Sequence, residues 1–385
     1  MSTDFGRTTF RTTLPLVQPS VPPNVRVVEP VLYRPSPRDR VRAFLKLHGR
    51  KLWWLHSAYA LGLGITVVTF AQKGFDHARW LAASASAAWL LVIFFFRVFG
   101  SGRQQTQHHR AAPKVRLRFF AMTYALKNLY QGMLFFLLPF YWKSTTFGSA
   151  NSWFVILLGT CALLSTLDIV FDRVVFKFRA VASLFHAVAL FGCLALVVPA
   201  LFPDTRTLIS LLTATAITVL AFWTIHIDLA MLKNRRWQVL SAASLLAAVG
   251  IAYAVRSAIP PVPMYVAHGG VGPIVLADGR LGMEVHDLHP AVIDKLIAIT
   301  DVVVPGGKGD RLLHVWRHDG HEVHRATEDT TRVAEPVESK DKGTIRLRSA
   351  LTERQLPPRL LGAWTVDVET QDGQLVGRVS FAVAE

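Results

Sequence analysis

The sequence predicts about seven transmembrane helices forming an α-helical bundle, followed by a C-terminal all-β, immunoglobulin-like sandwich. Three observations carry this: a series of long apolar runs, a charge imbalance between the two parts of the chain, and two hairpins with two-residue alternation near the C-terminus. The 385 residues have a mean hydropathy of +0.34 and are 18% charged, against about 25% in soluble domains. Residues 1–260 hold 28 Lys and Arg against 8 Asp and Glu, whereas residues 261–385 hold 14 against 18. A pI near 10.3 would fit nucleic-acid binding. The basic residues, however, lie in short tracts between apolar runs, where they act as topology signals, so nucleic acid is not an expected partner.

Residues 1–51 contain no apolar core of signal-peptide length. They are basic and rich in proline, and bury too little apolar surface to offset their ordering entropy, which predicts a disordered cytoplasmic arm. The domain prediction is therefore an arm over 1–51, a membrane domain over 52–260 and a β-domain over 261–385. Seven runs approach the roughly 20 residues needed to cross hydrocarbon: 53–71, 80–99, 119–142, 152–171, 180–202, 207–230 and 238–260. Their length and lack of alternation require helices rather than a barrel. The flanks 34–51, 100–118, 172–179 and 231–237 contain 18 Lys and Arg in all, and the flanks 72–79, 143–151 and 203–206 contain four. Rich and poor flanks alternate at every crossing. By the positive-inside rule the N-terminus is cytoplasmic and the β-domain non-cytoplasmic, hence periplasmic in a bacterial inner membrane. Cys161 and Cys193 fall inside predicted spans, and the β-domain has no cysteine to form a disulfide.

The β-domain shows two hairpins. Strands over 312–318 and 321–325 flank Asp319-Gly320, and strands over 363–371 and 374–383 flank Asp372-Gly373. Asp-Gly favours a tight two-residue turn because both positions take positive φ. These registers place Arg317 opposite Glu322, and Asp367 opposite Arg378. Further strands are expected at 264–268, 274–276, 297–304 and 344–348, with a short helix from Pro290 and a loop over 327–343.

At these hairpins the sequence resembles two bacterial families. The residues are His314-Val-Trp316-Arg317-His318-Asp319-Gly320, then Gly362-Ala-Trp364-Thr-Val366-Asp-Val368, then Asp372-Gly373-Gln374-Leu375-Val-Gly377 with a terminal Phe381-x-Val383. They look like the domain-of-unknown-function families 2914 and 5924, over about 296–385. The resemblance implies membrane helices joined to this C-terminal domain and implies no catalytic residues. Where the family shows an aromatic-Arg-x-Trp-Ser-x-Lys stretch, this chain has Ile345-Arg346-Leu347-Arg348-Ser349-Ala350-Leu351, without the Trp or Lys.

Two groups of residues could carry chemistry. Lys127, Gln131, Asp168, His186, His226 and Asp228 form an intramembrane polar cluster, in which Lys127 is expected to pair with Asp168. Charge in hydrocarbon costs at least about 2.5–3.5 kcal/mol and so faces a partner or water. The cluster serves either as a bundle-fixing network or as a path for an ion or proton. On the first hairpin His314, His318 and His321 share a face with Trp316. They form either a recognition surface, a metal or pH-sensing site, or a polar edge around one packing tryptophan. No phosphate loop, nucleophile elbow or metalloprotease helix is present, and no cofactor or metal is expected. The run Pro305-Gly306-Gly307-Lys308 reads as a turn. Gly269-Gly270-Val-Gly272 has no following helix and so is no dinucleotide loop. Two function classes remain: a non-catalytic envelope protein whose β-domain binds a protein, glycan or small ligand, with the lipid bilayer as its other partner, or a membrane-embedded transporter or enzyme built on the polar cluster.

Overall fold

The computed structural model describes residues 78–101, 113–167, 170–227, 231–277, 279–306, 308–326, 331–333 and 343–385. The arm over 1–51 and the first predicted span, 53–71, lie outside these residues.

Six α-helices are described: α1 (Ala78–Phe99), α2 (Pro113–Lys143), α3 (Ser152–Thr166), α4 (Arg179–Leu201), α5 (Thr207–His226) and α6 (Arg235–Ala254). Among the described residues four helices are long and apolar enough to cross a membrane, namely Leu81–Phe99 within α1, and α4, α5 and α6. The expected spans at 119–142 and 152–171 take other forms. The first lies inside α2, a 31-residue helix whose basic first turns and Lys127 lower its apolar character. The second is split into the 15-residue α3 and a π-turn, Phe171–Val175. One end of the bundle is knotted by aromatic rings. Phe95 lies 5.4 Å from Phe119 and 5.5 Å from Phe176, and Phe171 lies 4.7 Å from Phe176, so α1, α2 and the π-turn share one packed cluster.

Among the described residues the C-terminal region holds nine strands in two sheets. They are β1 (Tyr265–Gly272), β2 (Asp287–Leu288), β3 (Lys295–Val303), β4 (Leu312–His318), β5 (His321–Ala326), β6 (Thr331–Val333), β7 (Thr344–Thr352), β8 (Gly362–Thr370) and β9 (Leu375–Val383). One sheet has the order β1-β3-β7-β6 and the other β2-β9-β8-β4-β5. Alternate residues of both sheets fill one core, in which Trp316, Trp364, Val366 and Phe381 pack with Val271, Leu296, Ala298 and Leu351. The rings of Trp364 and Phe381 stack at 5.9 Å.

Both hairpins form with the expected charge pairs, Arg317 facing Glu322 and Asp367 facing Arg378. The turns differ. Asp319 and Gly320 both have positive φ, 49° and 83°, as a two-residue hairpin turn requires. In the second turn only Gly373 does, at 80°. There the Gly373 N–H donates to Thr370 O at 2.9 Å and the Thr370 N–H to Gln374 O at 2.9 Å. This is a three-residue loop with glycine at a bulge, which sets Glu369 opposite Leu375; a register shift between Val368 and Glu369 then restores the expected pairing, Asp367 facing Arg378. Pro290 opens only a single 3₁₀ turn, Pro290–Val292. The segment expected as a loop, 327–343, contains β6.

The two regions are bolted together. The Lys308 N–H donates to Pro203 O at 2.8 Å, and Asn151 Nδ2 to Leu375 O at 3.2 Å. Arg256 Nε donates to the Asp372 carbonyl at 2.5 Å. A Cβ on Gly306 would lie 2.7 Å from Pro199 O, and one on Gly309 would overlap Asp204 O. Glycine is required at both because main chain meets main chain. The run that the sequence reads as a turn is thus part of a docking loop.

Candidate functional site

The residues expected inside the membrane lie on α2, α4 and α5 or outside the described residues. Lys127 and Gln131 are buried one turn apart on α2, and the Lys127 ammonium lies 5.5 Å from the centroid of the Tyr124 ring. Between them in sequence, Tyr130 Oη meets His186 Nδ1 of α4 at 2.7 Å. One turn from His186, Ser183 Oγ meets His226 Nε2 of α5 at 2.7 Å. α4 therefore carries a polar stripe that joins it to both neighbours. His186 is 1% exposed and its Nε2 has no hydrogen-bond partner among the described residues. Asp168, expected to pair with Lys127, and Asp228 lie outside the described residues.

The histidine hairpin departs from a recognition surface. Strand alternation turns His314 and Trp316 into the space between the sheets, where both are fully buried. His314 Nε2 meets Thr300 Oγ1 of β3 at 2.8 Å and its Nδ1 meets Ser349 Oγ of β7 at 2.6 Å. Trp316 Nε1 donates to the same Ser349 hydroxyl at 3.2 Å. This is a polar rivet across an apolar core. Burial lowers the His314 pKa to about 3, so the ring is neutral at physiological pH. The His318 ring lies 4.6 Å from that of Trp364, tilted by 33°, and its Nε2 meets Leu361 O at 3.0 Å. Only His321, paired with His318 across the turn, is exposed. Among the described residues no group of three His, Cys, Asp or Glu side chains is placed to hold a metal ion.

The outer face of the five-stranded sheet is a ladder of ion pairs. Arg378 grips Asp367 at 2.6 and 2.8 Å; Arg317 reaches Asp367 at 3.0 Å and Glu369 at 2.9 Å; Arg325 reaches Glu369 at 3.2 Å and Glu322 at 2.8 Å. Hydrogen bonds to Asp367 raise the Arg378 pKa, and those from Arg325 lower that of Glu322. Asp367 is 2% exposed, hidden beneath guanidinium groups.

What the sequence did not reveal is a cleft of about 410 Å³ on the side of the β-region where β1 and β9 approach. Its walls are 266–271 of β1 and 376–380 of β9, with Glu284 and His286 at one end. Lys143, the last residue of α2, and Thr145 and Thr146 just after it close the other. Close strand approach shapes it: a Cβ on Gly269 would lie 2.6 Å from Val379 Cγ2, and one on Gly377 would lie within van der Waals overlap of Val266. The diglycine at 269–270 was the available signal, and its reason is strand packing. A cleft of this volume lies in the range of small-ligand sites.

Comparison with known sequences matches residues 35–290 to the family of unknown function DUF5924. The chain belongs to this family. Residues 309–383 match a second group, the protein of unknown function DUF2914. The resemblance noted at the hairpins thus divides in two: the DUF5924 match takes in the helices, β1 and β2, and the DUF2914 match takes in β4 to β9. No curated protein matches the chain. A solved structure of Pseudomonas fluorescens alkylpurine DNA glycosylase AlkC, bound to DNA containing an abasic site analog, aligns at 10% identity over 83% of this chain and 99% of that one. Its TM-score of 0.18 is too low to indicate a common fold.

Proposed function

We propose that this DUF5924 member is a non-catalytic envelope protein, anchored by seven membrane helices, whose periplasmic immunoglobulin-like β-domain binds a protein, glycan or small ligand. The observation that carries the reading is the cleft between β1 and β9, roofed at one end by the bundle. A ligand there touches both regions. The β-region packs against the connections containing Asn151 and Pro203, which are the flanks poor in Lys and Arg. That arrangement supports a non-cytoplasmic C-terminus under the positive-inside rule. Two sheets around one tryptophan-bearing core support the sandwich.

Ser380 is exposed on the cleft wall. The full chain in lipid nanodiscs is tested against a glycan array, a small-molecule panel and a displayed peptide library, beside Ser380→Trp. Binding that the tryptophan blocks is expected. A binder indifferent to Ser380→Trp, or no binder in any panel, rejects the proposal. Sidedness has its own test. Ser380→Cys should react with a membrane-impermeant maleimide in cells whose outer membrane alone is opened, since Cys161 and Cys193 are buried.

One observation favours the second reading, a transporter or enzyme in the membrane: the buried, unpartnered Nε2 of His186 beside Tyr130. On that reading Lys127→Ala and His186→Ala abolish an envelope phenotype while Ser380→Trp leaves it intact.

A further inference from the structure

We infer that the cleft is a lane for an added β-strand, and that its ligand is an extended peptide segment of a partner protein. The inference rests on the ligand-binding reading above and names the ligand.

In the five-stranded sheet one edge of β9 pairs with β8, and the other, among the described residues, meets β2 at Ala382 and Val383. On that second edge the Ala382 N–H donates to His286 O at 2.8 Å, and the Ala384 N–H to Leu288 O at 3.0 Å. Main-chain groups of a strand alternate sides with a period of two. The N–H and C=O of Ser380 and Arg378 therefore point the same way as those of Ala382, past the end of β2 and into the cleft. Their side chains lie on the outer face, where Ser380 is exposed and Arg378 is held by Asp367. Across the gap β1 is likewise the edge strand of its sheet. Its Val271 O accepts from the Val285 N–H at 3.0 Å, which fixes that edge, and Gly269 two residues earlier turns its main chain the same way.

The chain itself shows what this lane takes. Its own β2 lies along the C-terminal end of the β9 edge, at Ala382 and Val383, and the cleft is the continuation of the same track toward the bundle. An edge carrying unpaired N–H and C=O groups is a template for another strand. Main-chain hydrogen bonds then supply affinity, and alternate side chains supply specificity. The lane's ends differ in charge. Glu284 stands at the β2 end, and the Lys143 ammonium, 5.3 Å from the Tyr265 ring centroid, at the bundle end. A bound peptide would carry its acidic side chain or terminal carboxylate beside Lys143. A glycan needs no register with alternate N–H groups, so the alternation favours peptide.

The test uses the full chain in lipid nanodiscs and a random heptapeptide library displayed on phage. Enriched peptides are synthesised both unmodified and with single N-methyl groups along the backbone. Expected are peptides with an acidic residue at one end. N-methylation at alternate positions should weaken binding roughly tenfold or more, and at the positions between should leave it unchanged. Ser380→Pro removes only an N–H that β8 does not use, a change edge strands tolerate, and should give a similar loss. Lys143→Gln should erase the acidic preference. Three results overturn the inference: no enriched peptide, binding insensitive to N-methylation at every position, or peptides unaffected by Ser380→Pro in a variant shown to fold. The N-methyl series is read on the wild-type chain, so it decides the matter even where Ser380→Pro is misfolded. A glycan or small molecule that binds and is blocked by Ser380→Trp, with no peptide binder, sinks the strand-addition inference and leaves the proposed function standing.

Discussion

At the scale of single residues, His314 and Asp310 bring polar chemistry into places that apolar groups would otherwise fill. The neutral His314 ring bridges Thr300 and Ser349, so the two sheets are joined by hydrogen bonds as well as by the contact of Trp316 and Trp364. Its folded pKa of about 3 lies below the ordinary value of 6.5. The unfolded chain therefore binds the proton first, and the stabilisation is complete above about 6.5 and declines as pH falls toward 3. Chemical denaturation of the full protein in detergent micelles, followed by tryptophan fluorescence, is expected to lose about 1.4 kcal/mol per pH unit from this group over that window. His314→Leu should flatten that part of the slope while lowering stability at neutral pH by roughly 1–3 kcal/mol, because two buried hydroxyls lose a partner. A slope unchanged in the variant refutes the assignment. The sequence placed His314 and Trp316 on one face correctly. It could not say which face, because a strand bearing His, Trp and His at alternate positions offers no simple apolar side. The polar partners on β3 and β7 decide it, and they are remote in sequence.

At the scale of elements, α5 shows how the β-region finishes a helix that the local sequence leaves open. Arg206 at its N-cap offers no side-chain acceptor. Asp310, from the loop between β3 and β4, accepts the Thr207 N–H at 2.9 Å and lies 2.7 Å from the Thr207 hydroxyl, which also lies 2.9 Å from Gln374 Oε1. Burial raises the Asp310 pKa, with the nearby Asp372 adding to the rise and the Thr207 hydrogen bonds and Arg206 opposing it. Part of the cap's benefit is therefore lost as pH rises and the carboxyl ionises. Asp310→Ala is expected to cost about 1–2 kcal/mol, as lost caps do. Asp310→Asn keeps an acceptor without the buried charge, and should be neutral or stabilising at pH 7. Equal loss in both variants would show that the charge, rather than the acceptor, matters. Element existence was largely readable from apolar length and two-residue alternation. β2 and β6 were not, since each is two or three residues long and is defined by its partner strand.

At the scale of the whole molecule, the order of helices and then sheets was legible because lipid and water impose different patterns on sequence. The relation between the two regions was not, because it is made largely by main-chain atoms. Pro203 O receives Lys308 N–H, and Gly309 passes so close to Asp204 O that a methyl group has no room. Gly309→Ala should therefore pry the docking loop from the α4–α5 connection. Hydrogen exchange in nanodiscs should show faster exchange at Lys308 and Thr207 with β8 unaffected. Exchange unchanged at those amides would mean that the loop is not what holds the seat. A seat built from carbonyls and glycines also bears on inheritance. Side chains around it can diverge freely while the path of the backbone cannot, so the β-region of one homologue should transplant onto the helices of another despite low identity, provided both keep the two glycines and the length of the loop that carries them.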